Sequence, residues 1–85
     1  MTPSELVPLY GFVRGDTLGL LVLVRTNDTV AQLCATLQEA AQVRVAPWPR
    51  AAVFHDSKRL APELTVADAG LTPLARVELV PEEEP

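Results

Sequence analysis

The sequence predicts an α+β roll, in which one main helix packs across a mixed β-sheet. Short apolar segments typical of strands occur near both ends of the chain, and the longest helical pattern lies between them. The chain has 85 residues, of which 48% are apolar, and this suffices for one domain with one core. The predicted order is strand, strand, helix, strand, short turn, strand, which is typical of a sheet covered on one face.

A hairpin is predicted at the N-terminus. The segment LVPLYGFV (residues 6–13) is apolar, and Pro8 places it at a sheet edge or at a strand start because proline lacks a backbone N–H. The segment RGDT (residues 14–17) predicts a turn, since Gly15 can take a positive φ. The segment LGLLVLV (residues 18–24) then forms the second strand.

One helix of about three and a half turns follows. Asp28 or Thr29 can cap its start, and Thr29 with Gln32 has the spacing of a capping box. The segment PWP (residues 47–49) requires the chain to turn, because proline cannot continue a helix. The apolar stripe of the helix comprises Val30, Leu33, Leu37 and Ala40 or Ala41.

The C-terminal half alternates strands with turns. The segment AAVFH (residues 51–55) predicts a third strand, DSKR (residues 56–59) a turn, and RLAPEL an extended connection. Thr65 caps a single helical turn that Gly70 ends, with Asp68 at its third position. The segment ARVELV predicts the last strand, with Val77 and Leu79 on one face.

Composition excludes several classes of function. A net charge of -4 and a pI near 4.8 disfavour nucleic acid as a partner. One cysteine and one histidine cannot form a disulfide or a zinc site made by this chain alone. The start of the sequence does not resemble a signal peptide, and the longest apolar run is too short for a membrane span, so we expect a cytoplasmic protein with no membrane partner. We expect one domain over residues 1–80 and an acidic flexible tail over residues 81–85.

The element order, with NDTVAQL opening the helix and RLAPELTVADAGL and RVELV closing the chain, resembles the ubiquitin-like β-grasp fold. That resemblance implies a mixed sheet of four to five strands. It also implies a register in which Leu21 and Leu23 face away from the helix. The residues expected to face inward are Leu20, Val22, Val24, Val30, Leu33, Leu37, Val66, Leu71, Val77 and Leu79.

A closer resemblance covers nearly the whole chain. The segments LGLLVLVRTNDTVAQL, RVAP (residues 44–47) and LAPELTVADAGLTP (residues 60–73) are similar in order and spacing to the small ubiquitin-like γ (B) subunit of bacterial multicomponent monooxygenases, whose hydroxylases oxidise toluene and other aromatic hydrocarbons or alkenes. The resemblance implies a non-catalytic structural subunit that docks on larger hydroxylase subunits (α, and β as a further candidate) in a hetero-oligomer. It implies no cofactor or metal on this chain and a diiron site in the partner α subunit.

The residues disfavour two other functions and leave two open. Catalysis would need Cys34 and His55 to converge on one point, and the expected register does not bring them together, so we expect no catalytic residue. A sulfur carrier or protein modifier needs a C-terminal Gly-Gly, whereas the last glycine is Gly70. The closing segment also looks similar to a ubiquitin-like accessory module of type VII secretion systems. A stand-alone protein-interaction adaptor is the second function that remains open.

The candidate partner interface comprises Leu21, Leu23, Trp48, Phe54 and Val80. Leu21 and Leu23 alternate with core residues on a face where an isolated domain would carry polar side chains. Trp48 is flanked by prolines, which present it to a partner with little entropy left to lose. The alternatives are a shifted register or a covering loop for the leucines, and for Trp48 a position over the end of the helix that closes the core.

Overall fold

The computed structural model describes residues 5–14, 19–42, 48 and 50–82. In these ranges the elements are β1 (Leu6–Val13), β2 (Gly19–Arg25), α1 (Val30–Ala41), β3 (Ala51–His55), β4 (Lys58–Arg59) and β5 (Arg76–Pro81). The five strands form one sheet in the order β2-β1-β5-β3-β4. β1 and β5 run parallel, and the other neighbours are antiparallel. The predicted mixed sheet with one helix is confirmed.

The core lies between α1 and one face of the sheet. Of the residues predicted to face inward, all but Leu20 are buried there, and Leu20 is partly buried against them. The register predicted for β2 is therefore confirmed. Buried and more exposed residues also alternate along β1, and Gly11 faces inward against Leu37. β1, α1 and β3 contribute the further buried residues Val7, Leu9, Val13, Ala41 and Val53.

The start of α1 satisfies its own backbone donors, as the capping-box spacing predicted. Thr29 is the N-cap, its side chain accepts from the Gln32 N–H, and the Gln32 side chain accepts from the Thr29 N–H. Four N–H groups at a helix start lack partners within the helix. Here they donate to the Gln32 side chain (from Thr29), the Leu64 carbonyl (from Val30), the Pro62 carbonyl (from Ala31) and the Thr29 side chain (from Gln32). α1 is thereby fixed to the connection that precedes the single turn.

That turn forms as predicted. The Asp68 N–H donates to the Thr65 hydroxyl at 3.0 Å, and Gly70 ends the turn with a φ of 74°. Thr65 also pairs with Thr29 as an isolated antiparallel bridge. The two N-cap residues therefore hold the helix and the turn side by side.

Of the two positions predicted for Pro8, a sheet edge or a strand start, the sheet edge is wrong, and Pro8 lies near the start of β1. β1 is an inner strand between β2 and β5, and its pairing with β5 begins only at Tyr10 opposite Arg76. The Pro8 carbonyl accepts from the Leu74 N–H on the β5 side. Because the N–H and carbonyl of a strand residue point the same way, the missing proline donor also faces the region before β5 begins. No hydrogen bond of the β1–β2 ladder is lost.

The segment DSKR was predicted as a turn only, and it also contains a strand. Asp56 and Ser57 form the turn, with φ values of 51° and 66°. Lys58 and Arg59 form β4, which pairs antiparallel with β3. Two positive φ values in a two-residue hairpin connection favour Asn-Gly or Asp-Gly, so Asp-Ser gave only a weak signal. The predicted RGDT turn lies outside the described residues except for Arg14, and so do both prolines of PWP.

The predicted tail begins too early in the chain. Pro81 pairs with Ala51 at the end of β5, and the Glu82 N–H donates to the Arg50 carbonyl at 3.0 Å. The Glu82 carboxylate also forms an ion pair with Arg59. Residues 81 and 82 therefore belong to the domain, while residues 83–85 lie outside the described part of the chain.

α1 has 12 residues, and no helix in the described ranges is long and apolar enough to cross a membrane.

Candidate functional site

The sheet face that α1 does not cover carries a group of exposed apolar side chains. Leu21 and Leu23 of β2 are 59% and 62% exposed. Leu6 and Tyr10 of β1 lie on the same face and are 57% and 41% exposed. Tyr10 lies opposite Leu21, and Pro8 lies opposite Leu23. We call Leu6, Pro8, Tyr10, Leu21 and Leu23 the outer-face patch.

The strand alternation explains why these side chains point outward. On β2, Val22 and Val24 are buried, so Leu21, Leu23 and Arg25 must face the other side. A shift of one residue would bury the leucines and expose the valines. The described register excludes that alternative, and the leucines are exposed. Their role in binding a partner stays a prediction.

Charged residues border the patch on β5. Arg76 lies opposite Tyr10, and its guanidinium carbon is 5.2 Å from the centroid of the Phe12 ring. This distance is within the range of a cation–π contact. Glu78 follows on the same face and pairs with Phe12 and Phe54. The outward face is thus apolar at Leu21 and Leu23 of β2 and over the first part of β1, and it is charged at Arg25 and on β5.

Leu74 adds an exposed apolar side chain beside the patch. It is 55% exposed, and its N–H donates to the Pro8 carbonyl. Its φ of 65° lies in the left-handed region, which is costly for a leucine. This backbone strain destabilises the isolated chain, so stability alone does not explain a leucine at this position.

The structure separates Phe54 and Val80 from the two leucines. β3 lies three strands away from β2, which corresponds to roughly 14 Å at ordinary strand spacing. Phe54 is half-buried. Val80 alternates with the core residue Leu79 and so faces outward, but it is only 8% exposed opposite Ala52. The expectation that Val80 extends the exposed face is therefore corrected, since its side chain offers little surface in the isolated chain.

Trp48 lies on the helix side of the molecule. Its backbone N–H donates to the Gln38 side-chain oxygen at 2.7 Å, and the Gln38 side-chain amide donates to the Trp48 backbone carbonyl at 3.2 Å. Trp48 is half-buried and packs against the core. These contacts agree with the alternative in which Trp48 closes the core beside α1. Trp48 is not part of the outer-face patch.

Cys34 and His55 occupy different parts of the molecule. The Cys34 thiol lies 3.8 Å from the Ala51 carbonyl, and burial raises the pKa of the thiol above its ordinary value of 9.0. A hydrogen bond from Gln38 opposes that rise in pKa, and the nearby Glu82 charge adds to it. His55 Nδ1 lies 2.8 Å from the Arg76 carbonyl, so this nitrogen carries the proton and donates.

The separation of Cys34 and His55 follows from β3. The Cys34 thiol contacts Ala51, the first residue of β3, whereas His55 is the last residue of that strand, so roughly 13 Å of strand lies between the two sites. Such a distance is too long for a nucleophile and its base. Within the described ranges, no three His, Cys, Asp or Glu side chains lie close enough together to hold a metal ion.

The sequence analysis missed Leu6, Tyr10 and Leu74 as exposed apolar residues. In LVPLYGFV nearly every position is apolar, so periodicity alone cannot assign the two faces of the strand. The usable signal was Gly11, since a glycine within a strand often marks the close approach of another element. With Gly11 facing inward, Leu6 and Tyr10 must face outward.

Comparison with known proteins supports both the fold and the family. The chain matches the model of the family described as toluene-4-monooxygenase system protein B (TmoB) over residues 6–80. It also matches a chain in the solved toluene 4-monooxygenase HD complex with the inhibitor 4-bromobenzoate, with 26% identity and a TM-score of 0.85. That match covers 92% of this chain and 100% of the other. No match was found among curated proteins.

More distant matches concern the fold alone. Ubiquitin of Caldiarchaeum subterraneum is 15% identical with a TM-score of 0.74, covering 94% of this chain and 98% of that one. The N-terminal ubiquitin-like domain of the 4931431F19Rik protein is 12% identical with a TM-score of 0.75, covering 98% and 81%. The expected ubiquitin-like β-grasp fold is confirmed. Because the family model spans most of its length, the chain belongs to the TmoB family, that of toluene-4-monooxygenase system protein B.

Proposed function

We propose that this chain is a non-catalytic structural subunit, which docks on and stabilises the hydroxylase component of a diiron multicomponent monooxygenase. The outer-face patch of this chain binds to a larger hydroxylase subunit. The hetero-oligomer is cytoplasmic and oxidises a hydrocarbon. The diiron cofactor belongs to the larger α subunit, and this chain binds no cofactor of its own.

Family membership supports the kind of complex. The family takes its description from a toluene-4-monooxygenase system, and the solved relative is a chain of the toluene 4-monooxygenase HD complex. That relative is covered over its whole length by this chain. A subunit role in an enzyme of the same type is therefore the simplest function for a chain of this size.

The exposed leucine pair is the observation that carries the docking proposal. Leu21 and Leu23 are each about three-fifths exposed, whereas Val22 and Val24 of the same strand are buried in the core. Full burial of a leucine side chain is favourable by about 2 kcal/mol. A partner that covers both residues gains a large part of that free energy, whereas an isolated domain gains nothing from them.

The side chains that carry chemistry favour a non-catalytic role. Cys34 bonds weakly to one end of β3, and His55 lies at the other end. Burial keeps the Cys34 thiol protonated by raising its pKa, so it is a poor nucleophile near neutral pH. Neither residue touches the outer-face patch, where the proposal places the contact with the partner.

Co-purification tests the proposal. The double variant Leu21→Thr and Leu23→Thr retains β propensity and makes the outer face polar without changing the buried face. A tagged wild-type chain co-expressed with the larger hydroxylase subunits should retain them on an affinity column, and the double variant should retain much less.

The matched control carries Ala40→Ser and Ala67→Ser, which replace exposed apolar residues outside the patch. This control should co-purify like the wild type. A folded double variant that retains the larger subunits as well as the control does would place the docking face elsewhere. A wild-type chain that retains no hydroxylase subunit would refute the proposed function itself.

A further inference from the structure

The two edges of the sheet differ in a way that bears on the partner. β4, at one edge, has two residues, and both are charged. β2, at the other edge, has seven residues, and all except Arg25 are uncharged. Proteins usually protect sheet edges with short strands, charges, prolines or bulges. β4 is protected in this way, whereas β2 is long and apolar.

The hydrogen bonds identify which backbone groups of β2 point away from β1. The Thr26 N–H donates to the Glu5 carbonyl at 2.9 Å, so Thr26 faces β1. Alternate residues of a strand direct their backbone N–H and carbonyl groups to alternate sides. The backbone groups of Val22 and Val24 therefore also point toward β1. Leu21, Leu23 and Arg25 then direct their N–H and carbonyl groups toward the open edge.

One end of that edge is already satisfied within the chain. The Arg25 N–H donates to the Asp28 carboxylate at 2.9 Å, and the Asp28 N–H donates to the Arg25 carbonyl. Among the described residues, none bonds to the edge-facing N–H and carbonyl groups of Leu21 and Leu23. These are the same two residues whose side chains are exposed in the outer-face patch.

We propose that the partner supplies an extended strand that pairs with the open edge of β2 at Leu21 and Leu23. This inference rests on the proposed function and specifies how the partner binds. The strand is an extended segment, because its backbone can pair with the alternating donors and acceptors of the edge. It has apolar residues at alternate positions, because these match the exposed side chains of Leu21 and Leu23. Its apolar residues lie beside Leu21 and Leu23 and extend the outward face.

The extent of the patch supports a contact that includes the edge. A stable interface takes in roughly 20–30 residues on each side. The outer-face patch has five residues, and a partner confined to them would leave the backbone groups of Leu21 and Leu23 unpaired at the rim. A partner strand on β2 continues the same sheet, so one surface reaches both the edge and the leucine side chains. A second copy of this chain is the other candidate occupant.

The test removes one edge donor and leaves every side chain in place. A full-length chain with N-methyl-leucine at position 23 can be made by chemical ligation at Cys34. N-methylation removes the Leu23 donor and places a methyl group on the open edge, while the β1–β2 ladder retains its bonds. The unmodified synthetic chain is the matched control. Circular dichroism checks folding, and binding to the larger hydroxylase subunits is then titrated.

We expect the N-methylated chain to fold normally and to bind the larger subunits at least tenfold more weakly than the control. Equal binding by the two folded chains would overturn the strand-pairing proposal. If the double threonine variant still loses binding in that case, the proposed docking function survives. An N-methylated chain that loses only self-association in sedimentation experiments would also overturn the proposal, because the occupant would be a second copy.

Should the N-methylated chain fail to fold, Leu23→Pro and Leu23→Ala variants replace it. Both lose the leucine side chain, but only the proline variant also loses the edge donor. Weaker co-purification of the folded proline variant than of the alanine variant supports pairing at the edge. Equal co-purification contradicts it.

Discussion

Tyr10 and Leu21 lie directly opposite each other in the β1–β2 ladder, on the sheet face that α1 leaves uncovered. Both side chains are exposed, although the residues that flank each of them along its strand include core residues. Neighbouring apolar side chains across two strands form one continuous surface. This continuity supports the proposal that the outward face is a docking site.

Gly11 is expected to be intolerant of any side chain. A Cβ at this position would overlap Cδ2 of Leu37, which is fully buried on α1. We predict that Gly11→Ala lowers the free energy of unfolding by about 1–3 kcal/mol through overpacking. Urea denaturation measures the change. In a Leu37→Ala background the same substitution should cost less, and an unchanged cost would contradict the contact.

The hydroxyl of Thr29 should contribute measurably to stability. It accepts from the Gln32 N–H at 3.1 Å as part of the capping box. We predict that Thr29→Ala lowers the free energy of unfolding by about 1 kcal/mol, as is usual for a lost N-cap. Thr29→Ser retains the hydroxyl and should change stability much less. Equal losses in the two variants would indicate that methyl packing, not capping, matters at this position.

Cys34 should react slowly in the folded chain. Burial raises its pKa above 9.0, so less thiolate is present at pH 8 than in an unfolded peptide. We predict slower alkylation by iodoacetamide in buffer than in denaturing urea at the same pH. Equal rates would contradict a half-buried thiol.

The same shift in pKa makes a prediction about stability. A thiol with a raised pKa in the folded state favours folding fully below its unfolded value of 9.0. That contribution is lost as the pH rises through the pKa of the folded state. The wild type should therefore lose more stability than Cys34→Ala when thermal unfolding is compared at pH 7 and at alkaline pH.

Leu74 should show opposite effects on stability and on association. Its left-handed backbone costs a leucine about 1–2 kcal/mol relative to an ordinary conformation. Asparagine tolerates this region better, so Leu74→Asn should stabilise the isolated chain by up to about 1 kcal/mol in urea denaturation. If the exposed leucine contacts the partner, the same variant should co-purify less well. Leu74→Ala, which retains the strain, should weaken association without the gain in stability.

The sequence predicted the parts of this fold that depend on local chemistry. The capping box at Thr29 and the apolar stripe of α1 were correct because hydrogen-bonding side chains and helical periodicity act over a few residues. The single turn at Thr65 was correct for the same reason. The strand register of β2 could be predicted once the fold was recognised, because strand alternation then assigns each residue to the inward or the outward face.

Features set by distant parts of the chain were harder to predict. The inner position of β1 depends on its parallel pairing with β5, whereas Pro8 alone suggested either an edge or a strand start. β4 is only two residues long, which is too short for an alternation of apolar and polar residues to indicate a strand. Glu82 joins the domain through Arg50 and Arg59, which no local pattern indicates. Val80 is outward yet buried, because exposure depends on neighbours as well as on direction.

The most direct measurement of the central claim is the dissociation constant of the larger hydroxylase subunits for the double variant Leu21→Thr and Leu23→Thr. Each lost leucine contact should weaken binding by about 1–2 kcal/mol, so together they should raise the dissociation constant at least about thirtyfold. The Ala40→Ser and Ala67→Ser control should bind like the wild type. A folded double variant with an unchanged dissociation constant would contradict docking through the outer-face patch.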